Sequence, residues 1–378
     1  MFLLERIFGF GVYMIILLFV CLLLVKTNIT CKSILKGYLV CLCIMAFLYK
    51  PYITADLYRI FDAMNYFSTM DFQMFWKHYA FETSIPIARL LYWSFGKTGI
   101  NELLPAFSAF VCYSVLFYII SKTKELYNVS KQNIAIVLFY VMTNSIYISV
   151  IGGIRMMLTL CLISFSYFRG TVEKKQGIID VLFYGISIFI HAMGVVVIAL
   201  CMLVSLFGSN SSSLKRLGYF FVAGIGSLIF VLNFNSILNG VYQKSVSYIL
   251  GDMHSDVWEY LMGALILIAT TVTFVEFWRE TKKEKSCLIK NYNAVAKCCI
   301  LLAICFCFEF SIFYRFCGHL AVLFSIPTVM YTLERTKGKQ SIFIRGIDYR
   351  SLLILLSVVI AAISCTRGSL SALKFFEL

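Results

Sequence analysis

The chain has 378 residues, of which 61% are hydrophobic and 14% are charged, and its mean hydropathy is +0.87. This composition excludes a water-soluble globule, because so few polar residues cannot cover the surface of a fold of this size. The net charge of +14 does not indicate a nucleic-acid partner, since basic residues of membrane proteins collect in cytoplasmic loops. We therefore expect an all-α, polytopic membrane protein that binds no nucleic acid.

Apolar runs along the chain predict about 10–12 membrane spans, because about 20 apolar residues at 1.5 Å each cross the hydrocarbon core. We expect helices near 7–25, 33–49, 101–121, 132–150, 151–169, 214–233, 257–278, 292–313, 316–334 and 350–366. The first run has no convincing small-residue cleavage site behind it, so we expect it to be retained as a helix.

Short basic loops alternate with these helices and predict their orientation. They lie at 26–36, 122–131, 169–175, 215–216, 279–297 and 335–350, and they hold most of the 33 Lys and Arg residues. The positive-inside rule places these loops in the cytoplasm and the N-terminus outside. The run 177–207 lies between two of them, so it must enter the membrane and return.

We expect this run to form two short helices or a re-entrant hairpin that turns near His191 to Gly194. Non-helical backbone at that depth requires protein or a water-filled cavity around it, and we expect a cavity there. On the outer side, the aromatic-rich segment 50–100 predicts amphipathic helices along the membrane surface, and 234–256 forms a second outer loop. No soluble domain or internal repeat is visible, so residues 1–378 read as a single integral membrane domain.

Charged residues from unrelated predicted helices fall on the outer side. The candidates for a site are Asp56, Arg59, Asp62, Arg89, Arg155, His191, Arg315 and His319. A charge inside a membrane must lie near an interface or have a partner, which makes such residues functional candidates. Arg155 follows Gly152 and Gly153 at a helix start, and arginine forks and helix N-termini both bind phosphate oxygens. This stretch would suit a lipid pyrophosphate.

Most of these candidates also have a structural interpretation. Arg155 could bind a lipid phosphate or helix carbonyls at the interface, and His191 could be a packing residue instead of a proton-transfer group. If residues 56–62 are helical, i,i+3 spacing predicts ion pairs of Arg59 with both neighbouring acids, or a carboxylate base beside a phosphate-binding arginine. The pattern FEFSIFYRFCGH at 308–319 could form a salt-bridged helix hairpin.

Three short motifs, taken in order, resemble the EpsG family of Wzy-like bacterial polysaccharide polymerases. They are D-x-Y-R-x-F at 56–61, G-I-R at 153–155 and I-H-A-M-G at 190–194. The resemblance in the order of the motifs, in their spacing and in the surrounding hydropathy covers most of the chain. Family members often carry Asn and Gln around the arginine, where this chain has Gly152 and Met156.

The resemblance implies a metal-independent glycosyltransferase, without a cofactor, in the bacterial plasma membrane. Such an enzyme transfers a glycan from undecaprenyl pyrophosphate to the non-reducing end of another lipid-linked repeat unit, for O-antigen, lipopolysaccharide or capsule. A chain-length regulator would be a further partner. On this interpretation Asp56, Asp62 and His191 are the candidates for the general base, whereas Arg59, Arg89, Arg155, Arg315 and His319 bind the substrate. The competing classes are a polysaccharide or small-solute transporter or flippase, and a lipid-linked glycan ligase.

Overall fold

The computed structural model of the chain describes residues 2–52, 55–80, 83, 85–144, 146–207, 257–282, 289–307, 309–344 and 346–366. These residues are almost entirely helical, and they contain no strand beyond one isolated bridge between Gln340 and Asp348. The prediction of an all-α fold is confirmed. The helix predicted at 214–233, the basic loop 215–216 and the outer loop 234–256 lie outside the described residues.

The described residues form sixteen α-helices and two π-helices. They are α1 (Phe2–Lys26), α2 (Cys31–Leu48), α3 (Asp56–Ser68), α4 (Phe72–Phe75), the π-helix π1 (Trp76–Ala80), α5 (Pro86–Gly96), α6 (Leu103–Tyr127), α7 (Lys131–Thr143), α8 (Ile146–Gly152), α9 (Ile154–Thr171), α10 (Ile178–Ile190), α11 (Met193–Phe207), α12 (Val257–Thr281), α13 (Ile289–Cys305), α14 (Phe310–Tyr314), the π-helix π2 (Arg315–Ala321), α15 (Val322–Arg335) and α16 (Tyr349–Thr366). The segment predicted as outer amphipathic helices is therefore helical, from α3 to α5.

Five stretches of the described residues are long and apolar enough to cross a membrane. They are Gly9–Lys26, Cys31–Leu48, Leu103–Tyr127, Val257–Thr281 and Phe310–Arg335, and α7 with α8 would be a sixth if that bent pair is one span. The chain is therefore a multi-pass membrane protein, and the larger number of spans stays a prediction. The most apolar 18-residue window of Phe310–Arg335 is fully buried, so this span occupies the centre of the bundle.

One buried cluster connects most of these helices. Its members come from α1 to α16, and at the α1 side the ring of Tyr13 stacks on Tyr147 with 5.1 Å between the centroids. The Tyr13 hydroxyl donates to the Met142 carbonyl over 2.8 Å, so a buried polar group is satisfied between two helices. On the other face of α1, Ile15 and Phe19 are exposed, as expected of a helix surface that faces lipid.

The helix predicted at 132–150 is broken, so the prediction of one continuous helix is wrong. Helix α7 ends at Thr143, α8 begins at Ile146, and the two axes differ by 53°. The Thr143 hydroxyl donates to the Phe139 carbonyl, and the Asn144 amide donates to the Tyr140 carbonyl. These side chains occupy the last carbonyls of α7 and so compete with the backbone N–H groups that would continue the helix.

The salt-bridged hairpin, which is one interpretation of 308–319, does not form among the described residues 309–319. Helix α13 ends at Cys305, and α14, π2 and α15 then run without a break from Phe310 to Arg335. The Glu309 carboxylate accepts the Ser311 N–H over 3.3 Å, so it caps the start of this span instead of forming a salt bridge in a turn. The predicted basic loop 279–297 is shorter than expected, because α13 begins at Ile289 and carries Lys290 and Lys297.

The described parts of the basic loops, at 26–36, 122–131, 169–175 and 335–344, lie together at one end of the bundle, which we call the basic end. Lys131 donates to the carbonyls of Thr27 and Ile29 over 3.0 and 2.8 Å, which joins two of the loops. The Asn133 amide donates to Glu334, over 2.8 Å, and so joins the start of α7 to the end of α15. These contacts agree with the predicted grouping of the loops on one side of the membrane. We call the other end of the bundle the opposite end.

Residues 177–207 form two short helices that enter and return, as predicted. Near the start of α10, Asp180 lies 3.7 Å from Arg169, and near the end of α11 the Ser205 hydroxyl donates to Tyr167 over 3.4 Å. Both partners lie near the end of α9, so both ends of the run are at the basic end. At 1.5 Å per residue α10 is about 20 Å long, which is less than the hydrocarbon core of about 30 Å.

Candidate functional site

An ion pair joins two helices at the opposite end. Arg155, the second residue of α9, donates from Nη2 to Oδ2 of Asp56, the first residue of α3, over 3.2 Å. The two side chains are 31% and 54% exposed, so solvent reaches the pair. A helix N-terminus is a favourable place for a carboxylate, and an exposed pair contributes at most about 1 kcal/mol to stability. An incoming anion could therefore take the place of Asp56 at small cost.

The glycine pair beside Arg155 leaves room for such an anion. Gly152 ends α8, and Gly153 precedes α9 with its N–H donating to the Ser149 carbonyl over 2.8 Å. A Cβ atom at position 153 would approach that carbonyl oxygen to 3.0 Å, whereas one at position 152 would meet nothing within 4 Å. Open space thus adjoins the first turn of α9, whose N–H groups have no acceptor in the preceding turn of the same helix.

Tyr92 lies near this ion pair, although it belongs to none of the motifs in the sequence. It lies on α5, it is buried, and its hydroxyl has no hydrogen-bond partner among the described residues. Burial raises the pKa of Tyr92 to about 12, and the nearby charges of Arg155 and Asp56 act on it in opposite directions. The phenol therefore stays protonated near the ion pair, as a neutral hydrogen-bond donor. Its one-turn spacing from Arg89 was the only signal in the sequence.

His191 lies at the turn between α10 and α11, as predicted. Its ring Nδ1 accepts the Met193 backbone N–H over 3.0 Å, and the His191 backbone N–H donates to the Ser187 carbonyl over 3.2 Å. Because Nδ1 is an acceptor, the neutral imidazole carries its proton on Nε2. This geometry serves the helix break, which agrees with the packing interpretation, and it makes Nε2 a hydrogen-bond donor.

The register of α9 and α10 places His191 at the level of Arg155. The Thr159 hydroxyl donates to the Ser187 carbonyl over 3.3 Å, and the two helices run in opposite directions. Arg155 lies one turn beyond Thr159 towards the opposite end, and His191 lies one turn beyond Ser187 in the same direction. Two motifs that are far apart in sequence are therefore brought to one depth in the bundle.

Arg315 and His319 reach the same region from π2. The buried His319 ring has Nε2 at 3.3 Å from the Ser149 hydroxyl, directly below the glycine pair. The charge of Arg315 acts on this ring, and the ring of Tyr314 packs edge-on against it with 5.0 Å between the centroids. Single-turn π-helices are frequent at functional sites, because they turn a side chain away from the regular helical direction.

The remaining candidates do not take part in the ion pair. Arg59 and Asp62 are exposed on α3, and neither forms an ion pair within the described part of the chain. The predicted i,i+3 pairs are wrong, because Asp56 contacts Arg155 of another helix instead of Arg59. Arg89 is half-buried and donates to the Tyr79 carbonyl over 2.7 Å, so it holds the end of π1. That contact gives Arg89 a structural role.

The described residues contain no group of three or more His, Cys, Asp or Glu side chains that could hold a metal ion. A cavity of about 490 Å³ adjoins Lys339 and Asp348 at the basic end, and a groove of about 360 Å³ lies between α12 and α13. Neither of these two spaces is lined by Arg155 or His191. The cavity expected around the His191 turn stays a prediction.

No family model matches the chain, and no curated protein or solved structure is significantly similar to it. The resemblance to the EpsG family therefore depends on its three short motifs. In the structure one residue from each of the first two motifs forms the Asp56–Arg155 ion pair, and the third motif supplies His191 one turn beyond Ser187. The function has to be argued from these contacts.

Proposed function

We propose that the chain is a membrane glycosyltransferase that polymerises lipid-linked repeat units in a bacterial plasma membrane. It transfers a glycan from undecaprenyl pyrophosphate to the non-reducing end of another lipid-linked repeat unit. The observation that carries this proposal is the exposed ion pair between Arg155 and Asp56, which lies beside open space at Gly152. It offers an anion site and a carboxylate at one point of the bundle.

The reaction forms one bond and breaks one bond at the anomeric carbon of the donor sugar. A hydroxyl oxygen of the acceptor bonds to that carbon, and the bond from the carbon to the pyrophosphate oxygen breaks. The electron pair of the broken bond leaves with the lipid pyrophosphate, and the hydroxyl proton goes to a general base. The site must therefore stabilise negative charge on the leaving group and accept one proton.

Arg155 is the group that stabilises the leaving group. A guanidinium binds phosphate oxygens with two parallel hydrogen bonds, which a lysine cannot reproduce. The pyrophosphate takes the place of Asp56 on Arg155, enters the space beside Gly152, and meets the first N–H groups of α9. The Tyr92 hydroxyl adds a neutral donor near the same position, and Arg315 adds a second positive charge from π2.

Asp56 is the general base that this arrangement favours. When phosphate occupies Arg155, the Asp56 carboxylate loses its ion pair and becomes available to the acceptor hydroxyl. His191 fits a different role, because its Nδ1 accepts from Met193 and its Nε2 carries the proton. It therefore donates a hydrogen bond to a sugar or phosphate oxygen. Asp62 lies further along α3 and is the reserve candidate for the base.

The test of the anion site replaces Arg155 in protein purified and reconstituted in lipid. We expect Arg155→Ala and Arg155→Lys both to abolish polymer or to reduce it by at least about tenfold. Alanine removes the charge-assisted contact to phosphate, and lysine cannot form two parallel hydrogen bonds to it. Lys77→Ala is the control, since Lys77 is an exposed cation of the segment 50–100, which also supplies Asp56. It should leave polymer unchanged. Normal polymer from Arg155→Ala would refute the proposal.

The test of the base measures donor affinity and polymer length on the same preparations. Asp56→Asn should leave the lipid-linked donor bound but stop elongation, so that single repeat units accumulate on the lipid. Arg59→Ala should instead weaken donor binding, because it removes positive charge from this end. If Asp56→Asn, Asp62→Asn and His191→Gln each give normal polymer, none of them is the base, and the arginines carry the catalysis.

The product distinguishes the proposed polymerase from its alternatives. With lipid-linked repeat units as both donor and acceptor, a polymerase forms longer lipid-linked chains in a sealed vesicle. A transporter or flippase moves the donor across the bilayer without a new glycosidic bond, and a ligase forms a bond only when a different acceptor is supplied. Movement without bond formation would contradict the glycosyltransferase assignment.

A further inference from the structure

A groove of about 360 Å³ runs between α12 and α13 on the outside of the bundle. Its walls are apolar, with Phe274 and Trp278 from α12 and Leu301 from α13. Trp278 and Leu301 are 58% and 62% exposed, which is typical of surfaces that face lipid in a membrane protein. The groove contains one charged side chain among the described residues that line it, Lys297.

Lys297 lies within α13 rather than in the predicted basic loop. Helix α13 begins at Ile289 at the basic end, where the Tyr167 hydroxyl donates to the Asn291 carbonyl over 3.5 Å. Lys297 follows Ile289 by two turns, which places its Cα about 12 Å along the helix. A lysine at such a depth on a lipid-facing surface is costly unless a partner neutralises it or its stem extends towards the interface.

The described part of the protein supplies no partner for this ammonium group. Lys297 forms no hydrogen bond and no ion pair there, and the nearby Lys290 adds a further positive charge. The carboxylates on the adjacent turns of α12 are already in use, because Glu276 pairs with Arg279 and Glu280 with Lys339. The groove therefore combines apolar walls with an uncompensated positive charge.

The surroundings of Trp278 extend this positive region towards the interface. The Lys282 ammonium lies 5.3 Å from the centroid of the Trp278 ring. Tryptophan is enriched at the level of lipid headgroups, and basic side chains at the cytoplasmic surface attract anionic lipids. From the interface inwards the groove thus presents a cation, an aromatic ring, a second cation and an apolar floor.

We propose that this groove binds one anionic phospholipid of the surrounding leaflet. The lipid phosphate pairs with Lys297, the headgroup region lies against Trp278, and an acyl chain follows the apolar wall that includes Phe274 and Leu301. The charge that is costly beside hydrocarbon becomes favourable beside a phosphate. This site lies at the basic end, away from Arg155, so it does not depend on the proposed glycosyltransferase function.

The experiment titrates the purified full-length protein with phosphatidylglycerol and with phosphatidylcholine, and counts bound lipids by native mass spectrometry. We expect one phosphatidylglycerol to bind at least about tenfold more tightly than phosphatidylcholine, and Lys297→Leu to remove that preference. Lys297→Arg keeps the positive charge, so this variant should keep the preference for phosphatidylglycerol. The matched control is Lys36→Leu, which removes an exposed lysine from the basic-end half of α2 and should change nothing.

A second readout locates the lipid without relying on affinity. Phosphatidylglycerol with brominated acyl chains quenches tryptophan fluorescence at short range, so it should quench Trp278 in the wild-type protein. Trp278→Phe should remove this quenching, and Lys297→Leu should reduce it to the level that brominated phosphatidylcholine gives. The natural emission of the other tryptophans reports that each variant is folded.

Three results would overturn the proposal. Equal affinity for the two phospholipids in the wild-type protein would mean that the groove is ordinary lipid-contacting surface. An unchanged preference in Lys297→Leu would assign the anionic lipid to another place. Displacement of phosphatidylglycerol from the groove by a polyprenyl phosphate at much lower concentration would assign the groove to that lipid instead.

Discussion

The two ends of the bundle use the same kinds of charged residue in different ways. At the basic end Glu276 is fully buried, pairs with Arg279 over 3.0 Å, and accepts from the Ser341 hydroxyl and the Ile342 N–H over 2.7 and 2.8 Å. At the opposite end the Asp56 carboxylate, which is half exposed, has one ion pair of 3.2 Å. Glu276 therefore holds the loop between α15 and α16 in place, whereas Asp56 remains accessible to a ligand.

This difference shows how structural charged residues can be distinguished from functional ones in a membrane protein. A buried carboxylate with several partners cannot exchange them without leaving an unpaired charge in a medium of low dielectric constant. An exposed carboxylate with a single partner loses little when an anion replaces it, because water solvates both groups. The number of partners and the exposure of the carboxylate, rather than the residue type, distinguish the charged residues at the two ends.

The largest expected effect is at the basic end. Glu276→Ala leaves the half-buried Arg279 with Glu280 as its remaining ion-pair partner and releases Ser341 and Ile342. We expect a loss of about 2–4 kcal/mol in the free energy of unfolding, because a buried ion pair and two hydrogen bonds to the same carboxylate are lost together. Thermal unfolding in lipid nanodiscs measures it, with Lys339→Gln as a control on an exposed pair. An unchanged midpoint would remove the contrast between the two ends.

An intermediate effect is expected where α10 and α11 meet. A Cβ atom at Gly194 would lie 2.7 Å from the Ser187 carbonyl oxygen and 3.1 Å from the Thr159 methyl group, so Gly194→Ala must separate these helices. We expect it to cost about 1–3 kcal/mol and to lower polymer yield, since it moves His191.

Gly185→Ala is the matched control on α10 itself. A Cβ atom at Gly185 meets nothing within 4 Å, so this change should be neutral or should stabilise the helix by about 1 kcal/mol. The unfolding midpoint and the polymer yield of both variants are measured together. Equal behaviour of Gly194→Ala and Gly185→Ala would mean that the close approach of the helices at the turn is not required.

The smallest effect on stability is expected at the ion pair itself. Asp56→Asn removes the charge but keeps the shape, and we expect the free energy of unfolding to fall by less than about 1 kcal/mol because both side chains are partly exposed. The unfolding midpoint in nanodiscs is the measurement. A loss as large as that of Glu276→Ala would show that Asp56 is a structural residue, and the two ends would then not differ in kind.

Some of the candidate site could be predicted from the sequence because its signals are local. The glycines before Arg155 predict a helix start there, and His191 interrupts an apolar run that is too long for one span and too short for two. Tyr92 gave almost no such signal, since tyrosines are common in the segment 50–100. The π-helical path of Arg315 and His319 also has no local pattern in the sequence.

The sequence by itself determined the class of the fold, five of the spans and the return of the 177–207 run. Hydropathy and the positions of basic residues act on each segment separately, so they can be read without knowing which helices touch. The choice of partners was decided only by the tertiary structure: Asp56 contacts Arg155 instead of Arg59, and Lys297 lines the groove between α12 and α13. These contacts join residues of different helices, and their energies depend on distance and burial, which the order of residues along the chain does not encode directly.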